Sequence, residues 1–434
     1  MKSSFITYIR SLMWMFLFLL PWQTIFIFRQ VKVNDFLWPY GTLGFYGVEI
    51  IFWGVVASFI FLYVKKQTIT FSSMRRSTWL FFSIIAFFLY SYLSMLWAPD
   101  NELVLQHTRW IMQGFLLFFL LSWKHIRLWD ILIPFIAGSA VQSIFAIWQF
   151  LSQSTGASST LLGLTEHVSA IGGTSVIVSD TERWLRAYGA FPHPNILGGY
   201  LLVGLLSVFI LGWVYNKYLR TSSWKYVLLF VTILHSVALF MTWSRSALLG
   251  LVLLLFISGV YAWRHKKYIF FVFHMPIIIS LSAFAIIYAP LVSTRISGES
   301  MHEVRSLVER VDGVSVAIDL FKSAWFSGVG VGNYTAALMA YDSRLPGYLL
   351  QPLHVAPGVL LIEYGVFGIV LSCALFWFFY SLYIREQKRY LLLILAFVPI
   401  LLVDHYMYTS MVGIFLFAFV MGVLVRMGAE KSHS

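Results

Sequence analysis

The chain has 434 residues, of which 60% are hydrophobic and 11% charged, and its mean hydropathy is +0.81. A soluble domain carries roughly a quarter of its residues as charges, so this composition excludes a water-soluble globular fold. The formal charge of +12 does not point to nucleic acid, because Lys and Arg occur in short groups between apolar runs rather than along one face.

The expected class is all-α: a polytopic transmembrane helical bundle over residues 1–434 as a single integral membrane domain. About twelve apolar stretches are long enough to cross roughly 30 Å of hydrocarbon as helices. They begin near Ser11, Gly44, Thr78, Gln106, Trp129, Pro194, Lys225, Ser246, Tyr268, Ala356, Tyr390 and Thr409. The first run, Ser11 to Phe28, is longer than a signal-peptide core and has no small-residue cleavage site before Arg29, so it reads as a retained span. Many tryptophans, among them Trp14, Trp97, Trp123, Trp213 and Trp263, fall where an apolar run meets a polar one, as in interfacial belts.

Basic residues follow every second span. Lys65, Lys66, Arg75 and Arg76 follow the second, Lys124 and Arg127 the fourth, and Lys217 and Arg220 the sixth. Arg264, Lys266 and Lys267 follow the eighth, Arg385, Lys388 and Arg389 the tenth, and Arg426 and Lys431 close the chain. By the positive-inside rule these exits, and with them both termini, are cytoplasmic. Two connections then face outward and are long, 152–191 and 291–355, a length usual for functional loops. The second carries a helical pattern with Val311, Val314, Ile318, Phe321 and Trp325 on one face, expected to lie as a surface helix on the outer membrane face.

Arginine placed where it is expensive is the most informative feature. TWSRSALLGL sets Arg245 between two apolar runs, where a central arginine costs roughly 2.5–3.5 kcal/mol. It is either a snorkelling turn residue at the outer interface or part of an anion site, and so short an outside turn normally holds no Lys or Arg. Arg183 and Arg186 end the first long loop, just before Pro192, His193, Pro194 and the start of a span whose free amides favour an anion. Glu182 and Asp180 are candidate salt-bridge partners there, chiefly for Arg183. At the end of the second loop His354 stands immediately outside a span, positioned as a base near neutral pH, and Glu363 lies about two turns inside it. Glu363 is a functional residue or the partner of an arginine from another helix. GVGVGNY, Gly328 to Tyr334, lacks the strand and the Lys-Ser/Thr of a phosphate loop and reads as a close-packed turn. Histidines do not cluster at ligand spacing, and the single cysteine, Cys373, allows no intramolecular disulfide, so neither metal nor cofactor is expected.

Taken in order, LRAYGAFPHPNILGGYL, MTWSRSALLGL, VER with the helix after it and SGVGVGNY, and LHVAPGVLLIEYGVFG resemble the O-antigen ligase and O-antigen polymerase superfamily of bacterial membrane glycosyltransferases. The resemblance runs from about Trp184 to Gly368. It implies transfer of a glycan from an undecaprenyl-diphosphate carrier to the hydroxyl of a lipid- or glycan-linked acceptor, as in lipopolysaccharide biosynthesis, on the outer face of the bacterial inner membrane. It also implies catalytic roles for Arg186, Arg245 and His354, and Arg310 matches a further recurrent loop arginine expected at the substrate; Arg183, His193 and Glu363 are candidate substrate-binding residues from their own positions. The chain departs from the family pattern at Val355, where Asn usually follows the histidine, and at Asp312-Gly313, where an aromatic is common. A transporter or flippase of lipid-linked glycans is the competing class. It calls for inverted repeats and charges near the midplane, whereas no repeat is visible and the charges gather at the outer edge.

Overall fold

The computed structural model describes residues 2–64, 78–123, 126–178, 183–264, 266, 269–297, 301–385 and 389–430. Several of the basic residues used for orientation, and the expected partners Asp180 and Glu182, lie outside the described residues. The chain is mostly helical. Its first half contains α1 (Lys2–Leu19), α2 (Gly47–Val64), α3 (Thr78–Leu93), α4 (Asn101–Leu121), α5 (Leu128–Ser152) and α6 (Pro194–Val214). There follow α7 (Asn216–Thr221), α8 (Trp224–Met241), α9 (Arg245–Arg264), α10 (Ile269–Ile287), α11 (Ala289–Ser297) and α12 (Met301–Ser323). The last third holds α13 (Tyr334–Tyr341), α14 (Ala356–Tyr364), α15 (Val366–Arg385), α16 (Val398–Val403), α17 (Tyr406–Thr409) and α18 (Met411–Glu430). Among the described residues α5, α6, α8 and α9 are long and apolar enough to cross a membrane, and α10 with α11 forms a further candidate bent by 93°.

The helical expectation holds for most of the chain, and three short two-stranded ribbons stand beside the helices. β1 (Ile25–Arg29) pairs antiparallel with β4 (Leu43–Tyr46), β2 (Lys32–Val33) with β3 (Phe36–Leu37), and β5 (Val176–Val178) with β6 (Arg183–Leu185). The apolar run read as one span to Phe28 therefore splits: α1 ends at Leu19, and Ile25 to Phe28 become strand. Pro21 disfavours helix in the residue before it, and the alternating Ile and Phe beyond suit a pleated ribbon.

Helix α6 forms the centre of the bundle. Its apolar window is entirely buried, and it packs against α5, α8, α9, α10 and α18. A helix apolar on every side is stable only when enclosed in this way. Pro194 occupies its first turn, where the missing N–H costs nothing, and His193 Nδ1 caps it by accepting from Asn195 N at 3.1 Å. Gly199 is required by a close approach, since any Cβ there would collide with the Tyr406 hydroxyl.

In α12 the side chains of Val308, Val311, Val314, Ile318 and Trp325 just beyond it are exposed, while Ala317 and Leu320 face the protein. Apart from Phe321, which packs against the core, the apolar stripe thus points away from the bundle, as it would to meet lipid. The expected span at Ala356 is interrupted at Gly365 (φ +58), which separates α14 from α15.

Candidate functional site

Four connections meet around one buried carboxylate. Asp404, 5% exposed, lies in the break between α16 and α17. Asn195 Nδ2 donates to its Oδ1 at 3.1 Å and its Oδ2 at 3.3 Å, and Ser246 Oγ donates to Oδ2 at 2.9 Å. His354 Nδ1 stands 4.0 Å from Oδ1. That approach is set by backbone, because Ala356 N, at the start of α14, donates to the Asp404 carbonyl at 3.2 Å.

Arg186 is 7% exposed and threads into the same cluster. Its Nε donates to the Thr242 carbonyl at 2.8 Å and its Nη2 to Asn195 Oδ1 at 2.5 Å. The segment carrying it is clamped from α5. Gln149 Oε1 accepts from Tyr188 N (3.0 Å) and Gly189 N (2.7 Å), Gln149 Nε2 donates to the Gly189 carbonyl (2.9 Å), and Gln142 Oε1 accepts from Ala190 N (2.8 Å). Buried amides held so completely fix a loop as firmly as secondary structure does. Ala187 N also donates to the Met241 carbonyl at 3.0 Å, tying this loop to the end of α8.

The α8–α9 turn, Thr242 to Ser244, therefore receives Arg186 on one carbonyl. On the next, Trp243, it receives Arg295 Nη2 from α11 at 3.1 Å. Arg245, half-buried, opens α9 immediately before Ser246. Arg310 of α12 is close enough for its charge to act on His354, His193 and Asp404. His193, whose Nε2 is 3.2 Å from Ser175 Oγ, faces the guanidinium charges of Arg186 and Arg310 and lies within electrostatic reach of His354 and His405. His405 completes the cluster: its ring centroid is 5.2 Å from that of His354, its Nδ1 is 2.7 Å from Thr409 Oγ1, and its Nε2 is 3.4 Å from the Tyr40 hydroxyl.

The electrostatics follow from placing charges where water is scarce. Burial and then the Arg310 charge push the His354 imidazole down to about 4. Burial likewise drives His193 well below the usual imidazole range, reinforced by Arg186, and lowers His405 to about 3. Burial raises Asp404, against its hydrogen bonds from Asn195 and Ser246 and the charges of Arg310 and Arg186. Near neutral pH these histidines are therefore uncharged, beside guanidiniums that carry positive charge.

The structure brings together Arg186, His193, Arg310 and His354, and sets Arg245 one residue from the Asp404 ligand Ser246. It does not bring in the other two candidates. Arg183 lies exposed on β6 with its Nε donating to the Ser169 carbonyl at 2.9 Å. Glu363 is buried, but both its oxygens are taken: Oε2 accepts from Gly332 N at 2.7 Å and from the Tyr408 hydroxyl at 2.5 Å, and Oε1 from Tyr334 N at 3.2 Å. It anchors the glycine turn before α13, whose Gly328, Gly330 and Gly332 all have positive φ. Asp404 and His405 are not among the residues that sequence reasoning singles out. A signal is present nonetheless, since Asp404 is the sole acidic residue between Glu386 and Glu430 and interrupts LLVDHYMY.

Apolar helices around a buried, cation-rich cluster define a multi-pass membrane protein with an internal polar site. Residues 228–373, about a third of the chain, match the family described as O-antigen ligase, which supports the resemblance to the O-antigen ligase and polymerase superfamily. The matched segment contains Arg245, Arg310, His354 and Glu363, whereas Arg186, Asp404 and His405 lie outside it. No curated protein matches the chain.

Proposed function

We propose that the protein transfers a glycan from an undecaprenyl-diphosphate carrier to an acceptor hydroxyl, with the Asp404 cluster as its reaction centre. The family match supports a membrane glycosyltransferase of the O-antigen ligase type. The observation that carries the finer reading is the His354–Asp404 approach of 4.0 Å within reach of Arg186 and Arg310 charge.

In the reaction the acceptor oxygen bonds to the anomeric carbon, the bond from that carbon to the diphosphate breaks, and the hydroxyl proton goes to His354. The leaving diphosphate gains negative charge, and guanidiniums from Arg186, Arg245 and Arg310 are suited to stabilise it. Donor binding also retunes the base, because a diphosphate beside His354 favours the imidazolium and lifts its pKa toward neutrality. Asp404 orients that imidazolium and stabilises it. The outer face of the inner membrane is the side on which this centre would work.

The test is transfer in proteoliposomes supplied with undecaprenyl-diphosphate-linked glycan and a candidate acceptor. Loss of transfer in Arg186→Ala, Arg245→Ala and His354→Ala supports the reading. Intact transfer in Arg245→Ala or His354→Ala overturns it, as does glycan movement across the bilayer with no new covalent product.

A further inference from the structure

A second charged groove lies between α1 and the start of α5, built from none of the residues of the Asp404 cluster. Its cavity, about 690 Å³, is lined by Arg10, Trp14, Met15 and Phe18 of one α1 face and by Arg127 and Asp130. Arg127 binds Asp130 through both carboxylate oxygens, Nε to Oδ2 at 3.1 Å and Nη2 to Oδ1 at 3.0 Å, while Arg10 Nε lies 3.7 Å from Oδ2. Two guanidiniums share one carboxylate, so this end of the groove carries a net positive charge.

The other end is apolar. Trp14 and Met15 are exposed, and Phe18 continues the same wall. From Arg10 to Phe18 the helix advances about 12 Å, room for a headgroup and the first part of an acyl chain. A tryptophan at the junction of charged and apolar surface is what a membrane interface selects. We propose that this groove binds an anionic phospholipid, its phosphate held by Arg10 and Arg127 and one acyl chain lying along Trp14, Met15 and Phe18. Charge complementarity selects the anionic headgroup, and the apolar wall selects a lipid over a soluble phosphate.

The experiment is native mass spectrometry of the full-length protein, equilibrated in detergent with equal phosphatidylglycerol and phosphatidylcholine. Wild type should retain phosphatidylglycerol preferentially. Arg10→Gln and Arg127→Gln should each lower that retention about five-fold, the contribution of one cation near an anionic surface. Asp130→Asn should raise it, an opposite change that misfolding would not produce. Equal retention of the two lipids, an unchanged preference in the double arginine variant, or a fall in Asp130→Asn would overturn the proposal. Competition by glycerophosphoglycerol as effective as that by the intact lipid would also overturn it, by making this a phosphate site rather than a lipid site.

Discussion

Replacing Asp404 by asparagine removes one charge and leaves the shape of the side chain nearly unchanged. An amide oxygen can still accept from Ser246, so the turn at α16–α17 retains a tether. What is lost is the field at His354. At the observed 4.0 Å, a full ion pair is worth about 4 kcal/mol at an effective dielectric constant of 20. Arg186 and Arg310 act on the same carboxylate, so we take less than half of that, about 1–2 kcal/mol, as reaching the imidazolium that forms in the transition state. This corresponds to a fall of about 5- to 30-fold in kcat for D404N. KM for the lipid-linked donor should change little, because the carboxylate acts on the base and not on the diphosphate. The assay is initial-rate transfer in proteoliposomes over a range of donor concentration and pH. A D404N rate within two-fold of wild type at every pH, or a change confined to KM, would refute the assignment of Asp404 as the partner of His354.

His354→Ala should lower kcat by about 10²- to 10⁴-fold, the usual contribution of a general base, and single-turnover transfer measures it. Because the free protein holds His354 at about 4, the acid limb of kcat/KM should lie well below 6.5, and a pH–rate profile locates it. The same shift predicts that stability in detergent falls as pH drops from about 6.5 toward 4, since the unfolded chain takes up a proton at His354 that the folded chain does not. Arg186→Lys cannot satisfy the Thr242 carbonyl and Asn195 together, so thermal unfolding should reveal a loss of about 1–3 kcal/mol alongside reduced transfer. Glu363→Gln should lower melting temperature while changing the transfer rate of the folded fraction less than two-fold.

Part of the fold and part of the site are legible in the sequence, for reasons that differ by residue. Arg186, Arg245 and His354 stand out because a charge beside an apolar run demands an explanation, and hydropathy locates helices wherever the run is long. The apolar stripe of α12 is visible from spacing alone, although spacing does not say whether such a stripe faces protein or lipid. Period and composition fail where tertiary contacts decide. Only Pro21 and the short Ile-Phe alternation after it separate the helix of Leu17 from the strand of Phe26, and the run from Leu391 to Phe419 hides Asp404 in what reads as a tight turn between two spans. Its partners Asn195 and Ser246 are 209 and 158 residues away along the chain, beyond any local pattern.

The two buried carboxylates show why burial alone does not identify chemistry. An intramembrane glutamate invites a functional reading, and Glu363 is the more deeply buried of the two. Yet its oxygens accept from two backbone amides and a tyrosine hydroxyl, all belonging to the packing of α13 and α17 against α14. Removing it would strand amides that have no water, a cost to folding. Asp404 instead accepts only from side chains of other elements, and its Oδ1 faces an imidazole whose Nδ1 has no hydrogen-bond partner among the described residues. A carboxylate that finishes a turn is spent on the fold. Asp404 is hydrogen-bonded at both oxygens too, but by side chains beside an imidazole and arginine charge, so under the proposed function it is the carboxylate placed to act on the base.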